Sequence, residues 1–561
     1  MNPDNQVYAP NVHLFAFHVW DTLSSGSNSP ANSQQTALPP TSNPRINPDR
    51  LWEQCNEILQ KKLNIDAKFN QTNLLYNRTT QPPGSRANLI IATTVNNLDF
   101  LPLAKQIKHD NQQISLTGFA QPLRISDSYA LGLNLRVPEK QTNGTNTPNV
   151  DLSIFREFNP DNCLLPNSVN SYFGQTLLLT AWLTAEQKAA AERDSQSIKN
   201  LGQQCLQSFI TGEDLPEFYH QAELFGSPIL EYGNPYYPDK FGHILIWFFD
   251  SQTTSDIWDI YYPNFLDLFL YRHKIILAYQ ESRAYYLDIR KEYEKIELDI
   301  DNTFQYLQGD AAQKQQLKGA GLKEEELEHL KRKTIDMPPR AVKYARLLME
   351  LEIRQNTIAI NARNYQNKLN QIGLDIKSKT VYNDRDTKKY SNLSFLELFS
   401  QETCPRFSEQ IKFDLGYFKH GTDLLDKAME AIRGVVAIEE ARRDAELQAT
   451  IQIVGSALGF VGIVASVAPY LIKQDPPDRK FYFPLSNIEI PSFILVLLIS
   501  VGAGLGVWML VWAIAQLKKI LPKIKQRLPF RWQLTCDSWP VTARLVGCVA
   551  IENLSKKLTI S

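Results

Sequence analysis

Over the first 260 positions, apolar residues come in short runs and alternations rather than in long helical stripes. Residues 11–20 (NVHLFAFHVW) read as a buried strand, and Asn88–Val95, Gln113–Ile125 and Tyr129–Val137 follow as strand-like segments. In the last, Leu131, Leu133, Leu135 and Val137 alternate with smaller or polar residues, the period-2 mark of a half-buried strand. Thr176–Leu183 and Phe241–Asp250 complete the set; Leu51–Leu63 and the Ala/Gln-rich stretch Ala185–Ile210 have helical spacing. Strands interspersed with helices predict an α/β or α+β domain over residues 1–260.

From Tyr261 the period changes. One heptad frame aligns Ile275, Tyr279, Ser282, Tyr286, Ile289, Tyr293, Ile296, Ile300, Thr303 and Leu307. A second aligns Tyr344, Leu348, Leu351, Gln355, Ile358, Ala362, Tyr365, Leu369 and Ile372. Sustained 3-4 spacing predicts coiled-coil packing, with Pro338 and Pro339 breaking the pattern so that the two helices fold back on each other. Tyrosines on such a seam are expected to pack with the hydroxyl at the rim. A third seam reads Leu424, Ala428, Ala431, Val435, Ile438, Arg442, Ala445 and Ala449. Residues 261–448 are thus expected to form a helical coiled-coil stalk.

Ala449–Ile472 and Ser492–Leu517 carry no charged residue, and each exceeds the roughly 20 residues that cross hydrocarbon. The pattern predicts a two-helix transmembrane hairpin: helix 449–472, outer loop 473–491, helix 492–517 and a basic cytosolic tail 518–561. Lys518, Lys519, Lys523, Lys525, Arg527 and Arg531 follow the second segment, so positive charge puts both termini on the cytoplasmic side. The expected location is a cell membrane, multi-pass. The expected partners are the lipid bilayer and further copies of the chain. Gly455, Gly459 and Gly462 in the first segment, with Gly502 and Gly506 in the second, allow close backbone approach, and Ser466 supplies a hydroxyl for a pore lining. Below the first segment, Glu439, Glu440, Arg442 and Arg443 would form charged rings at the cytosolic mouth of an oligomeric pore.

Composition adds little to this picture. With 59 Lys+Arg against 60 Asp+Glu the formal charge is −1, which argues against a nucleic-acid partner. The mean hydropathy of −0.30 is that of an ordinary globular chain, and two apolar segments would be hidden inside such an average. Six cysteines stand at wide, irregular spacing without a C-x-x-C pair, which reads as buried thiols in a reducing compartment.

The order of a large α/β domain, long helices, a first apolar helix continuous with them, a short loop and a second apolar helix followed by lysines resembles the CorA family of divalent-cation channels. That resemblance implies an oligomeric ion channel gated by its cytosolic domain. In that family the first helix ends in Gly-Met-Asn; here the corresponding end reads Ala468-Pro469-Tyr470-Leu471-Ile472, so no ion-binding residue carries over. The stretch Ile432–Ala449 with the Gly-rich segment after it is also similar to uncharacterised bacterial, especially cyanobacterial, membrane proteins. The alternative expectation is a membrane-anchored scaffold or ligand-binding module without transport activity.

No catalytic motif is present: the chain lacks G-x-x-x-x-G-K-[ST], H-E-x-x-H and G-x-S-x-G. An enzyme is not expected, and neither a metal site nor a cofactor is specified. His13 and His18, five apart in one strand, fall on opposite faces and read as structural. Asp250, at the end of ILIWFFD, reads as the polar end of a buried strand.

Overall fold

The structure, a computed structural model, describes residues 5–20, 47–75, 86–110, 112–141, 143–314, 322–379, 389–472 and scattered positions between 482 and 513. Its elements are, in chain order, β1 (Gln6–Val19), α1 (Arg50–Glu57), β2 (Arg86–Asn88), β3 (Leu101–His109), β4 (Gln112–Ile125), β5 (Ser128–Arg136), β6 (Val150–Asp151), α2 (Phe155–Phe158) and α3 (Pro166–Val169). Then come β7 (Gly174–Trp182), α4 (Ala185–Arg193), α5 (Gln196–Phe209), β8 (Phe218–Leu224), β9 (Ser227–Tyr232) and β10 (His243–Phe249). The long helices follow: α6 (Gln252–Lys314), α7 (Glu324–Lys379), the short α8 (Ser394–Leu398) and α9 (Cys404–Ile472).

One ten-stranded sheet runs in the order β2-β4-β5-β1-β7-β10-β9-β8, with β3 beside β4 and β6 beside β1. Its pairs are antiparallel except β7 with β10, which are joined by a crossover through α4, α5 and the β8–β9 hairpin. Period-2 alternation gives each central strand two buried faces. Val12, Leu14 and Ala16 of β1, with Leu177 and Leu179 of β7, join a core that includes Trp52 of α1 and Leu206 of α5. Their neighbours His13 and Phe15 point the other way, against Trp258 and Tyr262 of α6. The half-buried strand expected at Tyr129–Val137 is therefore buried on both sides, because β5 lies between β4 and β1 and α6 covers its second face. The expected helix Ala185–Ile210 is two helices; α4 starts at a capping box made by Thr184 and Gln187, and the break comes at the extended Asp194.

By its contacts the chain divides into two compact units, residues 1–309 with 336–428, and residues 310–335 with 429–561. In the first unit the heptad seams are where the periodicity puts them. Ile275, Ser282, Ile289, Ile296 and Thr303 of α6 are buried, as are Tyr344, Leu351, Ile358, Tyr365 and Ile372 of α7. Tyr344 and Tyr365 are wholly inside, and each donates its hydroxyl to a backbone carbonyl, of Phe418 and Leu396 respectively. The turn between the helices is not at the two prolines. Pro338 and Pro339 lie inside α7, flanked by buried Met337 and Tyr344, so packing outweighs the lost helical hydrogen bonds.

The third seam is shifted on one side. Ala428 is buried as expected, but Leu425, Ile432 and Glu439 are buried in place of Leu424, Ala431 and Ile438; Ile438 is 73% exposed.

The transmembrane hairpin is corrected: among the described residues, no helix is long and apolar enough to cross a membrane. The multi-pass placement at a cell membrane loses its basis with it. Ala449–Ile472 is the end of α9, a helix of 69 residues. Freedom from charge was the criterion there, and the side chains at 457, 460, 461, 463–465 and 467–472 lie outside the described ones. Most of Ser492–Leu517, and the whole tail 518–561, lie outside the described residues.

Candidate functional site

Polar side chains inside an aromatic layer need a reason, since an unpartnered buried polar group costs about 1–3 kcal/mol. The layer between the sheet and α6 holds five such groups joined in one chain. Arg272 of α6 donates from Nη2 to Glu231 Oε1 at 2.7 Å. The same oxygen is 3.2 Å from His243 Nε2, and His243 Nδ1 is 2.9 Å from Thr176 Oγ1. Thr176 Oγ1 is also 2.8 Å from Nε2 of His273. All five residues are buried.

The topology brings them together. Thr176, Glu231 and His243 come from the adjacent strands β7, β9 and β10, with Thr176 directly opposite His243 in the parallel pair. Arg272 and His273 are consecutive on α6, so the helix offers the strands a guanidinium and an imidazole side by side. The guanidinium stacks on the Phe399 ring at 4.5 Å.

Electrostatics fix the charge states. Burial pushes the Glu231 carboxyl upward, but the Arg272 charge and the His243 bond outweigh it and hold it below the usual range. Burial, aided by the Arg272 charge, lowers His243 to about 4. Burial also takes His273 well below its ordinary value, with His243 and Arg272 acting in the same direction. The site is one ion pair with two neutral imidazoles.

The chain ends at a solvent-facing recess of about 170 Å³, lined by His243, Arg272 and His273 together with Gln280. Phe173, Pro235, Pro238, Ile276 and Leu277 make its apolar wall. Gly174 and Gly233 shape it. Gly174 has φ +113°, and a Cβ there would stand 2.8 Å from His273 Nδ1. At Gly233, with φ +94°, a Cβ would meet the Gly242 carbonyl at 2.2 Å. A second, much smaller space of about 20 Å³ lies where Glu231, His243 and Arg272 meet Tyr219, Tyr365 and Phe399.

Among the described residues, no group of three or more His, Cys, Asp or Glu could hold a metal ion. The sequence-derived candidates lie elsewhere. Glu439 accepts from Arg442 and Arg443 on its own helix, Arg442 also reaches Glu446, Lys331 pairs with Glu440, and Arg443 bonds Glu324 and the Leu322 carbonyl. These charges satisfy one another within the second unit. Gly455, Gly459, Gly462, Gly502 and Gly506 have nothing within 4 Å of where a Cβ would stand, and Ser466 lies in the last turns of α9. The two strand histidines are held structurally, His13 beside Asn134 and His18 between the Asn47 carbonyl and the Tyr172 amide.

Sequence reasoning passed over Thr176, Glu231, His243, Arg272 and His273 because they are scattered across nearly 100 positions. A signal was present. Each borders or interrupts an apolar run: Thr176 before LLL, Glu231 after PIL, His243 before ILIWFF, and Arg272-His273 between LFLY and KIIL. No protein-family model matches the sequence, and a comparison with curated proteins finds no match.

Proposed function

We propose that the chain is a ligand-binding module, in which the sheet domain takes a small molecule into the recess walled by Phe173, Ile276 and Leu277. The observation that carries this reading is the buried chain from Arg272 to His273 opening into a concave apolar space. A structural polar cluster is expected to be closed on itself; this one ends on a ring that lines a cavity. Placing the polar groups on rigid strands and on a 63-residue helix holds them in one geometry before any ligand arrives.

A fragment screen by thermal shift and calorimetry on the full chain tests it, with Leu277→Trp as the blocked control. Binding at micromolar to millimolar affinity that Leu277→Trp abolishes supports the reading. A chemically broad screen without hits, or hits insensitive to the blocked wall, contradicts it.

A further inference from the structure

Resting on that ligand-binding reading, we infer that the recess selects an uncharged molecule with a hydrogen-bond donor, in the class of a phenol-sized alcohol, over anions of the same shape. The direction of every bond in the chain sets this choice. An ionised Glu231 only accepts, so Arg272 and His243 Nε2 both donate to it. A neutral imidazole protonated at Nε2 has a bare Nδ1, which therefore accepts the Thr176 hydroxyl proton. The Thr176 oxygen, having donated its one hydrogen, accepts from His273 Nε2. His273 is then left with an unprotonated Nδ1 beside Gly174, on the wall of the recess.

That nitrogen has no hydrogen-bond partner among the described residues, and it is not one of the wholly buried unpartnered atoms, so in an otherwise buried side chain it is the atom that the recess can reach. Only a donor satisfies it. The Arg272 charge is offset by Glu231 and covered by the Phe399 ring, and Asp239 adds a negative charge to the recess lining. An anion finds no cation there without its carboxylate, and the unpartnered Arg272 Nε is wholly buried. The apolar wall suits a ring.

Titration calorimetry of the full chain with phenol, anisole and benzoate distinguishes the possibilities. Phenol is expected to bind, with anisole roughly tenfold weaker for want of the donor and benzoate weaker still. His273→Phe keeps a ring but removes the acceptor, and is expected to level phenol and anisole. Without any substitution, saturating phenol should shift the His273 ring nitrogen resonances. Anisole or benzoate binding as tightly as phenol, or unmoved His273 resonances at phenol saturation, would overturn the inference. If the broad fragment screen finds recess ligands and phenol is not among them, the ligand class fails while the binding reading stands. If no fragment of any charge binds, both fall.

Discussion

At the scale of single residues, the buried polar chain makes the strongest demands. Glu231 and Arg272 are a desolvated pair, their side chains 7% and 6% exposed, and removing one charge strands the other. Glu231→Gln is expected to cost about 3–5 kcal/mol in urea denaturation, against less than about 1 kcal/mol for neutralising an exposed pair such as Lys61–Glu57. The histidines set a pH dependence. His243 has a folded value near 4 against an ordinary 6.5, and His273 is shifted the same way. Unfolding at intermediate pH takes up protons, so their contribution is complete above about pH 6.5 and is lost as pH falls toward 4. Equilibrium unfolding between pH 7 and 4 should show falling stability, and His243→Gln should flatten that slope. The thiols follow the same logic. Burial raises Cys55, Cys163 and Cys404 to about 12, and it raises Cys205 further. In a Cys536→Ser, Cys548→Ser background, a disulfide-exchange reagent should react with the native chain only as fast as it unfolds.

At the scale of elements, α9 separates pattern from packing. An apolar-only frame chooses Ile438 over Glu439, yet Glu439 is the buried one because Arg442 and Arg443 donate to it. Ile432→Asp is therefore expected to lower the melting temperature by several degrees, as a charge at a buried position. Ile438→Asp should leave it within about a degree, since exposed substitutions stay near ±0.5 kcal/mol. Gly421 gives a second test. A side chain there would run into Tyr293 and the Tyr344 hydroxyl, so Gly421→Leu should disrupt the contact of α9 with α6 and α7.

The same contrast governs what could be read from the sequence. β1, β7 and β10 were legible as apolar runs, and the α6 and α7 seams were legible because one heptad frame is nearly all apolar. β3 was missed although Leu101, Leu103 and Ile107 alternate with polar residues, since Pro102 and the lysines mask the period. The β8–β9 hairpin turns at Phe225 and Gly226, both at positive φ and readable as a turn, but its strands were missed because His220, Gln221, Glu223 and Pro228 break any apolar run. The site was not legible as a set, because its five members meet only through strand order and the return of α6 across the sheet.

At the scale of the whole molecule, charge-free stretches were read as membrane spans, and among the described residues no helix qualifies as one. The hydropathy average of −0.30 is therefore not shown to hide a pair of spans there. What the described residues do contain is a sheet with both faces covered, and a polar chain crossing one of the covering layers to a recess. The most direct test is the nitrogen NMR spectrum of the His273 ring in the free, full-length protein near neutral pH. The account predicts a protonated Nε2 and a bare Nδ1, with Nδ1 shifting when a donor ligand fills the recess. A proton on Nδ1, or a doubly protonated ring at neutral pH, would contradict it.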